Sequence, residues 1–270
     1  MGEGMRFELL GPVRALHAGA EVPLGPPMQR AVLAVLLLQE GRPLSYDGLV
    51  EAVWGGAPPA QVRNLVQKYV SGLRRAFRAV PHPGRHDAAP DSGPRLAWTG
   101  SGYLLTGAAA DDLHERRRLV DEALSARREG ELGRAAALVD RAEALWRGDF
   151  AEGLGAPCLV AERLRWREKR LTVMEARIGA AIEEGQAFAY VHELVRLVAT
   201  HPLRERLVEL LMTALYRSGR ASDALLAYEE ARQRIAGAVG ADPGPALRAL
   251  HGRMLRQDPQ LLGSGSSGGL

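Results

Sequence analysis

The sequence predicts a mainly α chain in two parts, a small α+β unit followed by an all-α helical repeat. Three observations lead there. Extended segments bounded by glycine or proline turns occur only before residue 108. After it a glycine-marked helical pattern comes three times, and its last two glycines, Gly185 and Gly219, lie 34 residues apart. Charge divides the same way: residues 1–110 hold eleven basic and eight acidic side chains, residues 111–270 twenty-four of each. A length of 270 residues also suits two cores.

The opening RFELLGPVRAL and the following EVPLG read as short strands, Phe7, Leu9 and Val13 being apolar and Gly11-Pro12 a turn. In GPPMQRAVLAVLLLQEG, Pro26 and Pro27 suit a helix start and Gly41 a stop, and the unbroken AVLAVLLL run asks for burial on more than one side. Ser45 can cap a second short helix that carries Leu49, Val50 and Val53 and ends near Trp54-Gly55-Gly56. After Pro58-Pro59, a third helix places Val62, Val66, Tyr69, Val70, Leu73 and Phe77 on one side. Arg63, Asn64, Gln67, Lys68, Ser71, Arg74 and Arg75 are left for the other. Residues 80–94 are loop by composition, and RLAWTGSGYLLT folds back around Thr99-Gly100-Ser101-Gly102 as a hairpin. Strands, three helices and a terminal hairpin describe a winged helix, with the third helix as its recognition element and the hairpin as its wing.

From there the chain reads as helix. Asp112 and Glu115 have the spacing of a capping box. Aligning REGELGRAAALVDRA, EEGQAFAYVHELVRL and RSGRASDALLAYEEA puts glycines at 130, 185 and 219. Ala135 and Ala224 take the small-residue place five positions on, and Ala142 and Ala231 the one twelve on. The middle copy has Tyr190 and Leu197 there and Pro202 where its helix should end. Between the first two copies lie an insertion, LWRGDFAEGLGAPC, and a long helix from about 160 to 184. Three tetratricopeptide-like pairs are about the number needed to bury a shared core. The division expected is 1–108, 109–262 and a flexible tail, 263–270.

Several function classes are set aside by composition. Hydrophobic residues at 46% and charged residues at 25% are ordinary globular values, and no apolar run reaches the length of a membrane span or signal sequence. The single cysteine, Cys158, forbids an internal disulfide, a four-cysteine zinc site or an iron–sulfur cluster and fits a reducing cytoplasm. With no basic neighbour to lower its pKa, it reads as inert. His82 and His86 have a zinc-like spacing but lack further ligands, so no metal is expected. Serine-hydrolase, zinc-protease and dinucleotide motifs are missing, which argues against an enzyme and against any cofactor. Aromatic residues at 5% disfavour a single-strand or RNA binder that works by base stacking.

The chemistry lies in residues 59–86, which carry Arg63, Lys68, Arg74, Arg75, Arg78 and Arg85 and no acid. A charged helix face alone is also what a solvated amphipathic helix shows. An acid-free face beside a wing is instead the footprint of double-stranded DNA. Asn64 and Gln67 match adenine edges and Arg63 or Lys68 guanine, whereas Ser71, Arg74 and Arg75 suit phosphates. Residue type alone leaves open which of them reach a base. Arg95 and Trp98 could touch the minor groove or its backbone; alternatively Trp98 packs the hairpin onto the third helix. Tyr103, Trp54 and Trp146 read as packing residues.

RFELLGPVRA, QRAVLAVLLL, VEAVWGGAPPAQVRNLVQKYVSGLRRAF, GYLL, ALWRG, HPLRERLVELLMTALYRSGRASDALLAYEEAR and AVGADPGPALRALHGRMLRQDPQL, in that order, resemble the Streptomyces antibiotic regulatory protein family over nearly the whole chain. The resemblance implies an OmpR-type winged-helix DNA-binding domain followed by a bacterial transcriptional activation domain. It also implies activation of antibiotic or other secondary-metabolite operons. Binding would be to direct repeats near the promoter −35 element, with a second copy bound head-to-tail and RNA polymerase recruited through its housekeeping sigma factor. Such a protein is expected at the nucleoid. The receiver domain that often precedes OmpR-type winged helices is not in the sequence, nor is the phosphate-loop motif of large family members. Two other readings are a ligand- or peptide-responsive repressor or architectural DNA binder with the repeats as sensor, and a repeat scaffold whose winged helix binds nothing.

Overall fold

The structure is a computed structural model that describes residues 4–79 and 93–262. Arg85, His82, His86, nearly all of the expected 80–94 loop and the 263–270 tail lie outside the described residues. The chain divides into two compact units, Met1–Arg170 and Leu171–Leu270.

The first unit opens with an antiparallel sheet of β1 (Arg6–Glu8), β2 (Arg14–His17) and β3 (Ala20–Val22). Helix α1 (Pro27–Leu37) follows. Pro26 and Pro27 start it as expected, with the fixed φ that a first helical turn needs. Every residue from Ala31 to Leu37 is buried, and the helix ends there, short of Gly41. Helix α2 (Tyr46–Trp54) is capped by the Ser45 hydroxyl, which accepts the Gly48 N–H at 3.0 Å. Just before it, Leu44–Ser45 form a two-residue strand, β4, too short to leave a pattern in the sequence. Helix α3 spans Val62–Arg78, and the hairpin strands are β5 (Arg95–Trp98) and β6 (Gly102–Thr106). The second sheet has the order β4-β6-β5, with Leu44 opposite Tyr103 and Ser45 opposite Gly102.

Helix α4 (Asp111–Arg128) does not begin with the expected capping box. Its N-cap is Ala110, and Glu115 pairs with Arg118 instead. Asp112, 1% exposed, accepts the Leu9 and Leu10 N–H groups, both at 2.7 Å, while Asp111 accepts that of Phe7 at 2.7 Å. Buried amides leaving β1 would otherwise be orphaned, and an orphaned amide costs more than a cap contributes. Helix α5 (Leu132–Ala144) leads into the insertion, which pairs with the same N-terminal segment. Arg147 N–H donates to Leu10 O at 2.8 Å, Ala151 N–H to Leu9 O at 2.8 Å and Glu152 N–H to Gly11 O at 3.1 Å. Arg163, on the long helix α6 (Pro157–Glu183), donates to the Phe150, Ala151 and Leu154 carbonyls and so closes the insertion from behind. Phe150, Leu154, Leu159 and Trp166 thereby share one core with Phe7, Leu9, Leu33 and Leu73. Contacts divide the chain within α6, whereas the 108/109 division follows the change from strands to helices.

The second unit holds the C-terminal part of α6 with α7 (Ala187–Thr200), α8 (Glu205–Arg217), α9 (Ala221–Val239), α10 (Pro245–Leu255) and a 3-10 turn, Pro259–Leu262. Leu194, Leu207, Met212, Ala224, Ala231 and Leu247 lie in its core. Gly130, Gly185 and Gly219 all sit at left-handed φ, +80°, +87° and +77°. Each time the following N–H reaches the carbonyl five residues back, Glu131 to Ala126, Gln186 to Ala181 and Arg220 to Leu215. This Schellman closure is why the repeat is marked by glycine. Among the described residues no helix is long and apolar enough to cross a membrane, and no group of three or more His, Cys, Asp or Glu could hold a metal ion.

Candidate nucleic-acid interface

Helix α3 buries Val66, Val70, Leu73 and Phe77, the ring of Phe77 meeting Phe7 edge-on at 5.9 Å. Its crossing with α1 is close. A Cβ on Gly72 would stand 2.2 Å from the Gln29 Oε1, and Gln29, 8% exposed, is held by its own bond to Leu24 O. Arg63, Asn64, Gln67, Lys68, Ser71, Arg75 and Arg78 are exposed. Spacings of three and four residues bring Asn64, Gln67, Lys68, Ser71, Arg75 and Arg78 onto one face. Among the described residues Lys68, Arg75 and Arg78 have no carboxylate within 4 Å, so the expected set gathers as an unneutralised basic face. Arg63 stands over the ring of Tyr46, 5.9 Å from its centroid, a support that the sequence does not announce.

Arg74 differs from its neighbours. It is half-buried, and its Nε donates to the Leu96 carbonyl of β5 at 2.8 Å. The wing is fixed elsewhere too. The Tyr46 N–H donates to Ser101 O at 2.9 Å, and a Cβ on Gly102 would come within 2.0 Å of the Leu44 carbonyl, so only glycine lets β6 approach β4. Tyr103, 6% exposed, is a core residue. Burial pushes its phenol above the ordinary tyrosine range, while the charges of Arg74 and Arg63 pull it back.

Trp98 is not packed away. It is 50% exposed and rests edge-on against Tyr103 at 5.1 Å. Arg95 is exposed on the same strand, but alternation along β5 puts it on the opposite face from Leu96 and Trp98. The structure thus brings five of the expected contact residues, Asn64, Gln67, Lys68, Ser71 and Arg75, together with Arg78 on one face of α3, leaves Arg63 over Tyr46, ties Arg74 to the wing, and separates Arg95 from Trp98. The tyrosine under Arg63 and the arginine bond to Leu96 depend on tertiary approach and leave no local signal.

Residues 19–86 match the family described as "Transcriptional regulatory protein, C terminal", and residues 111–255 match "Bacterial transcriptional activator domain". The regulatory protein AfsR of Streptomyces coelicolor is 41% identical over 95% of this chain, which spans only 25% of that protein. The regulatory protein DnrI of Streptomyces peucetius is 34% identical over 94% of this chain and 93% of its own length. The solved structure of Mycobacterium tuberculosis EmbR in complex with a low-affinity phosphopeptide superposes with a TM-score of 0.81 at 34% identity, covering 95% of this chain and 66% of that one. With both family matches in the expected order on a winged helix followed by helical pairs, the chain belongs to the Streptomyces antibiotic regulatory protein family of transcriptional regulators.

Proposed function

We propose that the chain activates transcription of an antibiotic or related secondary-metabolite operon by binding direct repeats near the promoter −35 element. The carrying observation is the exposed face of α3, basic and, among the described residues, without neighbouring carboxylates, set beside an exposed wing in a chain of this family. Docked in the major groove, α3 offers Asn64 and Gln67 to adenine and Arg63 or Lys68 to guanine, with Ser71 and Arg75 on phosphates. The wing offers Trp98 on one face and Arg95 on the other to the adjacent minor groove. Residues 1–108 carry this binding role. Residues 109–262 present the surface that meets RNA polymerase and its sigma factor, and a second copy bound head-to-tail fills the neighbouring repeat. Such work is done in the cytoplasm, at the nucleoid, and calls for no catalysis and no cofactor.

The test is a footprint on the DNA flanking the gene, joined to transcription in vitro from the same fragment with polymerase holoenzyme. Two protected segments in the same orientation beside the −35 element, with more transcript when the protein is added, support the reading. Protection with less transcript favours the repressor. Absence of protection on that DNA favours the scaffold.

A further inference from the structure

β5 is the edge strand of its sheet, so alternate carbonyls along it face away from β6. One of them, Leu96 O, is taken by the Arg74 Nε of α3 at 2.8 Å. We propose that Arg74 is a positioning residue, a brace that fixes the angle between recognition helix and wing, rather than a side chain that meets DNA phosphate. This rests on the DNA-binding reading above and refines it.

The geometry distinguishes Arg74 from Arg75 beside it. Arg75 is exposed, with no carboxylate within 4 Å among the described residues; Arg74 is half-buried and bonded to another element. Just beyond Leu96 on the same face stands Trp98, half exposed and resting on Tyr103, whose surroundings include the Arg74 charge. A bond at Leu96 therefore sets where Trp98 is presented. The turn end of the hairpin is already held by Tyr46 N–H on Ser101 O and by β4 pairing with β6. Arg74 adds the hold on the outer strand, which β4 does not reach. A helix in the major groove and a wing in the next minor groove must fit DNA together, so this angle bears on which sites are bound.

Glutamine separates the bond from the charge. Its Nε2 lies as many bonds from Cα as the arginine Nε, so Arg74→Gln can still donate to Leu96 O but carries no charge. Arg74→Met keeps the chain as far as the position of Nε and loses both bond and charge. The experiment is hydroxyl-radical footprinting of the full chain, with affinity measured against salt, on the duplex that the wild-type footprint defines. Arg74→Gln should keep the wing protection, the wild-type affinity and the wild-type salt slope. Arg74→Met should lose the wing protection while α3 stays protected, with binding weaker by about tenfold, the scale of one hydrogen bond from a charged donor. The brace is overturned if Arg74→Met keeps its wing protection. It is also overturned if Arg74→Gln loses that protection, or lowers the salt slope by about one unit as a phosphate contact does. If Arg74→Met does not fold, Arg74→Gln decides alone by those two readouts. A wild-type chain that leaves no footprint overturns the DNA reading beneath as well.

Discussion

Lys68, Arg75 and Arg78 share the open face of α3 without an acidic neighbour among the described residues, so a polyanion is the partner that would neutralise them. Replacing Arg75 by alanine should weaken binding to all duplexes alike and reduce the slope of log K against log salt by about one unit. An unchanged slope would remove Arg75 from the contact set. Asp112 illustrates the opposite kind of charge, a carboxylate buried for structure. Asp112→Ala leaves the Leu9 and Leu10 N–H groups without their acceptor and should cost about 2–4 kcal/mol in denaturant unfolding. Burial holds this carboxyl above its ordinary 3.8, against the pull of the Leu10 and Leu9 amides and Arg147. The folded state therefore binds its proton more readily than the unfolded chain. The stability linked to that proton is complete below about pH 3.8 and is lost as pH rises through the folded value. Asp112→Ala should flatten this part of the stability profile; a slope as steep as wild type would show that another group titrates there.

Elements whose signals are local could be read from sequence. Helix α3 was legible from the apolar spacing of Val66, Val70, Leu73 and Phe77, and the hairpin from its glycines. The repeat turns were legible because left-handed backbone selects glycine, as at Gly219 with φ +77° and nothing within 4 Å of its missing Cβ. Gly219→Ala should accordingly cost about 1 kcal/mol through backbone strain alone, lowering the melting temperature by a few degrees with no repacking. A loss several times larger would mean that the turn carries packing as well. Strand β4 and the partner of the insertion were not legible. A two-residue strand has no period, and the carbonyls of Leu9, Leu10 and Gly11 that bind the insertion lie far earlier in the chain. The residues of the candidate site were readable as types on a helix face. That Arg74 spends its Nε on Leu96 depends on where the wing folds back, which residue spacing does not encode.

On the scale of the molecule, the winged helix shares its core with the start of α4, the insertion and the N-terminal part of α6. A fragment of residues 1–108 lacks Asp111, Asp112, Phe150, Leu154, Leu159 and Trp166 and leaves bare the surfaces they cover. Burying one large apolar side chain is worth about 1.5–3 kcal/mol, and a whole domain nets only about 5–15. The fragment should therefore unfold at markedly lower denaturant than residues 1–170, and equal midpoints would show the winged helix to be self-sufficient. The near-absence of lysine has a practical consequence on this scale. Basic residues number 35, but side-chain amines stand only at Lys68, on the open face of α3, and at Lys169, over the indole of Trp166 in the first unit. Among side chains, an amine-acylating reagent thus tags one point on the proposed contact face and one on a different element. Bound duplex should shield Lys68 from labelling and leave the yield at Lys169 as an internal standard, so that a single mass spectrum of the labelled peptides reports occupancy of the recognition helix.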